Sequence, residues 1–165
     1  MGKYFGTDGF RGEANVTLTA DHAYQVGRFL GWYCGECKRR AGDSDPARVV
    51  IGKDTRLSSD MLENAMAAGL CSVGASVVLL GVVPTPAVAY LVEKYKADAG
   101  VMISASHNSY EYNGIKIFSG DGYKLPDEVE NEIEAYIDNQ CAGLKLATGD
   151  DVGRVYRRDD GLQDY

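Results

Sequence analysis

Behind Thr19, the apolar residues Ala23, Val26, Leu30, Tyr33 and Cys37 recur three or four positions apart, the spacing of one helix face. Thr19 reads as its N-cap, Asp21 sits in the first turn, and Lys38, Arg39 and Arg40 suit its carboxyl end. The pattern then changes to short continuous apolar runs at 48–52, 76–80, 99–103 and 114–118, which read as buried strands. Helical stretches separate the first three. One runs to about Gly74 and is capped by Ser58, Ser59 or Asp60, with Asp60 and Glu63 at capping-box spacing. Another opens at Pro86 and runs to about Tyr95, and a last one opens at Pro126 and runs to about Asp138.

Strands of this kind, alternating with helices, predict an α/β fold: a three-layer α/β/α sandwich on a four-stranded mixed, mostly parallel sheet. The fourth strand follows the third through the polar stretch 104–113, which has no helical pattern, so it is free to pair antiparallel. Residues 1–149 are expected to form the domain. Charge density rises in 150–165, which reads as an exit strand or linker.

Composition narrows the function classes. There are 17 Lys and Arg against 24 Asp and Glu, a net charge of −7, which disfavours a dedicated nucleic-acid binder. Residues 64–92 carry no charge and could naively span a bilayer. Pro84, Pro86 and glycines 69, 74 and 81 break the run into helix end, strand and new helix, so no membrane partner is expected. Residues 1–12 lack an apolar core of the secretory type, which points to the cytoplasm and argues against a disulfide framework for Cys34, Cys37, Cys71 and Cys141. Cys34 and Cys37 have Cys-x-x-Cys spacing but sit inside a helical pattern with no second pair, so they read as helix cysteines of which one or both face the core. His22, at a helix start, reads as structural.

In α/β sheets ligands gather at the carboxyl ends of strands. Three polar segments follow strands here: Lys53-Asp54-Thr55-Arg56, Val83-Pro84-Thr85-Pro86 and Ser104-Ala105-Ser106-His107-Asn108-Ser109. The glycine-dense Gly6-Thr7-Asp8-Gly9-Phe10-Arg11-Gly12 is a fourth candidate. The serine loop can supply a nucleophile, hydrogen-bond donors and an acid/base group. A serine hydrolase is disfavoured because Gly-x-Ser-x-Gly is absent. Arg11, Lys53, Arg56 and Lys116 all fall at predicted loops or strand ends, and converging cations suit an anionic substrate such as a sugar phosphate.

Together these segments resemble the α-D-phosphohexomutase family. Gly100-Val101-Met102-Ile103-Ser104-Ala105-Ser106-His107-Asn108 is similar to the family's signature loop. Lys3-Tyr4-Phe5-Gly6-Thr7-Asp8-Gly9-Phe10-Arg11-Gly12 is similar to the start of its bacterial glucosamine-phosphate branch. Ile51-Gly52-Lys53-Asp54-Thr55-Arg56, Pro84-Thr85-Pro86 and Asn113-Gly114-Ile115-Lys116 match further family loops in order.

The resemblance implies that Ser106 is a phosphoserine exchanging phosphoryl groups with a hexose phosphate through a bisphosphorylated sugar. Glucosamine 6-phosphate and glucosamine 1-phosphate are the implied pair, with glucose or mannose phosphates as the alternative and a stand-alone, non-catalytic sugar-phosphate-binding module as another. His107, Lys116 and Arg11 would join Ser106 in catalysis, and Thr7, Asp8, Gly9, Asn108, Lys53 and Arg56 would bind substrate. The Ser106 phosphate would supply one Mg²⁺ ligand. The remaining ligands, and the loops that read the sugar, belong to domains II–IV of the family's four, which this chain does not match, so it is expected to be inactive alone. Where the family usually carries proline after Ser-His-Asn, this chain has Ser109.

Overall fold

The computed structural model describes residues 2–139 and 143–165. In chain order the elements are β1 (Phe5–Gly6), β2 (Gly9–Glu13), α1 (Ala20–Arg40), β3 (Arg48–Lys53), α2 (Leu57–Ser72), β4 (Ser76–Val82) and α3 (Thr85–Lys94). They continue with β5 (Ala99–Ile103), β6 (Tyr112–Ser119), α4 (Asp127–Asp138), a 3-10 turn (Gly149–Asp151), β7 (Val155–Arg157) and α5 (Gly161–Asp164).

All the strands join one sheet in the order β1-β2-β6-β5-β3-β4-β7. β3 runs parallel to β4 and β5, and β7 runs parallel to β4. The pairs β1–β2, β2–β6 and β5–β6 are antiparallel. Among the described residues the sheet therefore has seven strands instead of four, and it divides evenly between parallel and antiparallel pairs instead of being mostly parallel. The three further strands lie at the two ends of the sheet and are short: Phe-Gly and Gly-Phe-Arg-Gly-Glu, which were not foreseen, and Val-Tyr-Arg, which falls in the segment expected as an exit strand or linker. Such segments carry no apolar run, and pairing makes them strands: β1 with β2, β2 with β6 and β7 with β4. The antiparallel pairing left open for the fourth predicted strand, β6, is the one observed.

Helices cover both faces of the sheet. α1, α2 and α4 pack Leu30, Met66 and Ile133 over Ile51, Ile103 and Ile115 on one face. On the other, α3 packs Val88 and Leu91 over Val50, Leu80 and Met102. α1 and α2 cross with their backbones close together: a Cβ on Gly69 would lie 2.1 Å from the Tyr24 carbonyl oxygen. The uncharged stretch 64–92 is spread over α2, β4 and α3. Among the described residues, no helix is long and apolar enough to cross a membrane.

Thr19 caps α1 as its sequence suggests. Its hydroxyl accepts from the His22 N–H, and His22 Nδ1 accepts from the Thr19 N–H. Burial holds His22 below its ordinary pKa, which favours this neutral acceptor role. The cap of α2 differs from expectation. Arg56 occupies the N-cap without a side-chain bond, and Ser58, Ser59 and Asp60 fall inside the first turn. Their side chains are engaged elsewhere, Ser59 with Asp54 and Asn113, and Asp60 with Lys53.

Cys34 is buried in the core and Cys37 is exposed; both are free, as is Cys71. Burial pushes the Cys34 thiol up to about 12. Cys141 lies outside the described residues. The charged segment after residue 149 packs back on the sheet: β7 lines β4, and the Tyr95 hydroxyl bonds Asp164 of α5.

Candidate functional site

β2, β3, β4 and β5 all end at one edge of the sheet, and β6 begins there, because β6 runs antiparallel to both β2 and β5. This edge gathers the turn after β3, the turn before α3 and residues 104–112. Ser106 is exposed on that last loop, with His107, Asn108 and Ser109 exposed beside it. Its backbone is left-handed, with φ +58°. A non-glycine residue rarely adopts this conformation, and it persists only where neighbours impose it. Here the Ser104 hydroxyl accepts from the Ser106 N–H at 3.0 Å.

Arg11 of β2 pairs with Gly114 of β6, and Lys116 lies two residues further along β6. The pleat puts Arg11 and Lys116 on the same face of the sheet as diagonal neighbours. Gly114 makes room for the arginine at the loop: a Cβ there would lie 3.0 Å from Arg11 Cγ and 2.7 Å from the Ser104 carbonyl oxygen. Arg11 Nε is buried with no hydrogen-bond partner. Lys116 makes no ion pair with a carboxylate among the described residues, and its ammonium stands 5.8 Å from the Phe118 ring centroid. An arginine and a lysine that make no ion pair with a carboxylate among the described residues suit an incoming anion.

The other candidate residues are placed differently. Lys53 points to the opposite face of the sheet from Arg11, into α2, where it bonds Asp60 at 2.6 Å and Glu63 at 3.1 Å. Its own burial lowers its pKa, but the two carboxylates more than offset this and leave the ammonium above its ordinary value. Arg56 spends its guanidinium on Asp54 and on backbone carbonyls of the serine loop. Thr7 and Asp8 form the exposed β1–β2 turn, at the other end of β2 from the serine loop. Gly9, at φ +93°, packs where a Cβ would lie 2.3 Å from the Ile115 carbonyl oxygen. The structure thus brings Arg11 beside the serine loop and Lys116 beside Arg11. Lys53 and the Thr7–Asp8 turn are not brought into that group.

Sequence reading missed a buried polar network beneath the loop. Asp54 accepts from the Arg56 backbone N–H at 3.1 Å and the Ser59 hydroxyl at 3.0 Å. Ser59 in turn accepts from Asn113 Nδ2 at 3.0 Å. Burial alone would raise the Asp54 pKa. Hydrogen bonds from the Arg56 backbone and guanidinium and from the Ser104 and Ser59 hydroxyls outweigh it and hold the carboxyl below its ordinary value. The signal available in the sequence was Asp54 two residues before Arg56, the spacing of an Asx turn.

Among the described residues, no group of three or more His, Cys, Asp or Glu side chains is arranged to hold a metal ion. A phosphate on Ser106 would offer oxygen ligands, but these residues supply no carboxylate set to complete an octahedral shell around Mg²⁺.

Fold and loop together define an α/β domain that presents a serine on a constrained turn beside unpaired cations. Residues 2–142 match the family described as phosphoglucomutase/phosphomannomutase, alpha/beta/alpha domain I. The chain belongs to this family. It is 56% identical over 155 residues to a phosphoglucosamine mutase of Lachnoclostridium phytofermentans, covering 94% of this chain and 33% of that protein. It is 54% identical over 165 residues to a phosphoglucosamine mutase of Clostridium beijerinckii, covering all of this chain and 36% of the relative. The fold is similar to that of a phosphoglucomutase/phosphomannomutase family protein from Burkholderia thailandensis, with TM-score 0.76 and 28% identity over 98% of this chain and 34% of the other. The chain therefore spans about a third of the length of the relatives it matches.

Proposed function

We propose that this chain is the phosphoserine domain of a mutase interconverting glucosamine 6-phosphate and glucosamine 1-phosphate in the cytoplasm. The observation that carries the reading is Ser106, exposed and left-handed on the loop after β5, with Arg11 placed against the base of that loop. In the proposed cycle, a sugar hydroxyl oxygen attacks the phosphorus on Ser106. The bond from phosphorus to the serine oxygen breaks as the new oxygen–phosphorus bond forms. The hydroxyl proton leaves through the site, and the serine oxygen ends protonated. The bisphosphorylated sugar then returns its other phosphoryl group to Ser106 by the reverse of these bond changes.

Phosphoryl transfer asks the protein for in-line positioning and for cations to meet the charge on the equatorial oxygens. Arg11 and Lys116 are the cations this chain offers, and His107 and Asn108 line the loop. Mg²⁺ would neutralise phosphate charge when bound, with its other ligands coming from outside the described residues. Residues 150–165 would lead towards further domains, and those domains would supply the rest of the metal shell and the contacts that read the sugar. The names of the two relatives support glucosamine phosphate over glucose or mannose phosphate as substrate.

The test is to assay the complete gene product with glucosamine 6-phosphate and a trace of the bisphosphate, beside Ser106→Ala. Formation of glucosamine 1-phosphate by the wild type and its loss in the variant are expected. Equal turnover by both proteins would refute the reading.

A further inference from the structure

Arg56 grips residues 104–112 through their backbone. Nη1 donates to the Ser109 carbonyl at 2.6 Å and to the Tyr112 carbonyl at 3.0 Å, and Nη2 donates to the Ser106 carbonyl at 2.9 Å. Nε is held by Asp54 at 2.9 Å, and the side chain is only 9% exposed. Three carbonyls along the loop thus converge on one planar fork. A fork can satisfy several fixed acceptors at once, whereas a single ammonium cannot match their directions.

Ser106 is held from both sides, its N–H by the Ser104 hydroxyl and its carbonyl by Arg56. These two bonds bracket the residue whose backbone is left-handed. Asp54 ties the same guanidinium to the start of α2 and, through Ser59, to Asn113 at the start of β6.

We propose that Arg56 is a positioning residue: it sets the conformation of Ser106 and so aims the serine oxygen for phosphoryl transfer, without itself binding the sugar phosphate. This rests on the reading of Ser106 as the phosphoryl carrier. Three of the carbonyls that shape the loop would lose their donor if the arginine were removed. Displacement of a reacting atom by about 1 Å costs on the order of 100-fold in rate.

The experiment uses the complete gene product with Arg56→Lys, Arg56→Ala and Ser106→Ala, each checked for folding by thermal melting. Two readings are taken: kcat and KM for glucosamine 6-phosphate, and amide hydrogen exchange of the 104–112 peptide. For the Arg56 variants kcat is expected to fall roughly 100-fold while KM moves less than about threefold. Exchange in 104–112 should quicken about tenfold while β3 and β5 keep their protection. Added guanidinium should restore kcat to Arg56→Ala.

Wild-type kcat in an Arg56 variant, or a loss confined to KM with the loop still protected, would overturn the positioning role. If Arg56→Ala does not fold, Arg56→Lys decides by the same two readings. If Ser106→Ala is as active as the wild type, the reading of Ser106 fails instead. An inactive Ser106→Ala beside a fully active Arg56→Lys with a protected loop refutes the proposal about Arg56 alone.

Discussion

Asn113 and Ser59 meet across the boundary between the sheet and α2. Asn113 Nδ2 donates to the Ser59 hydroxyl at 3.0 Å, and neither residue has any exposed surface. Asn113 Oδ1 also accepts the Gly114 N–H, and Nδ2 reaches Ser58 as well. This one amide therefore fixes the start of β6 against the helix beneath the serine loop. Asn113→Ala would leave buried groups without partners, at about 1–3 kcal/mol for each group stranded. Urea unfolding of this chain should show a loss of stability in that range. A change below about 0.5 kcal/mol, typical of an indifferent surface position, would contradict it.

Asp54 gives the domain a pH signature. Its pKa is held below the ordinary 3.8 in the folded chain, so protonation is easier in the unfolded state. Its stabilising contribution is complete at neutral pH, begins to shrink as the pH falls through 3.8, and is lost as the pH passes the lower folded value. Thermal melts from pH 7 down to pH 3 should show a steeper acid loss for the wild type than for Asp54→Asn, whose side chain does not titrate. Parallel acid profiles would show that the carboxylate is not coupled to folding.

Lys53 and Glu63 form a largely buried pair, with the glutamate side chain 5% exposed and its Oε2 without a partner. Lys53→Met should destabilise the chain by roughly 3–5 kcal/mol, because it strands a buried charge. Lys53→Met with Glu63→Leu should recover most of that loss, since replacing both partners removes the stranded group. Additive losses in the double variant, measured by the same urea titration, would argue that the two side chains act independently.

Gly114 lies under Arg11 and against the Ser104 carbonyl, with 2.7 Å from its missing Cβ position to that oxygen. The backbone there cannot give way as a flexible side chain would. Gly114→Ala should cost about 1–3 kcal/mol, in the range of overpacked sites, and should shift the amide resonances of Arg11 and Ser104. Unchanged resonances would mean that the strands absorb the methyl group without moving the arginine.

The strands legible in the sequence were those buried from both sides. β5 matches its apolar run residue for residue, β3 and β4 extend theirs by one and two positions at the carboxyl end, and β6 extends its run at both ends. β1 and β2 were not legible, since Gly9-Phe10-Arg11-Gly12-Glu13 has the composition of a loop and becomes a strand by pairing with β6, whereas β7 falls in the segment expected as an exit strand or linker. The serine loop was legible because polar residues after a buried run mark a strand end. The tasks of the cations were not. Arg56 and Lys53 look alike in sequence to Arg11, yet one is spent on carbonyls of the serine loop and one on the α2 carboxylates Asp60 and Glu63, and both arrangements arise only in tertiary packing.

The most direct measurement is the identity of the phosphorylated residue. The complete gene product would be incubated with glucosamine 1,6-bisphosphate, digested and its phosphopeptide sequenced by mass spectrometry, beside Ser106→Ala. The account predicts phosphate on Ser106 and none on the variant. Phosphate on Ser104 or Ser109, or none on any serine of the loop, would contradict it.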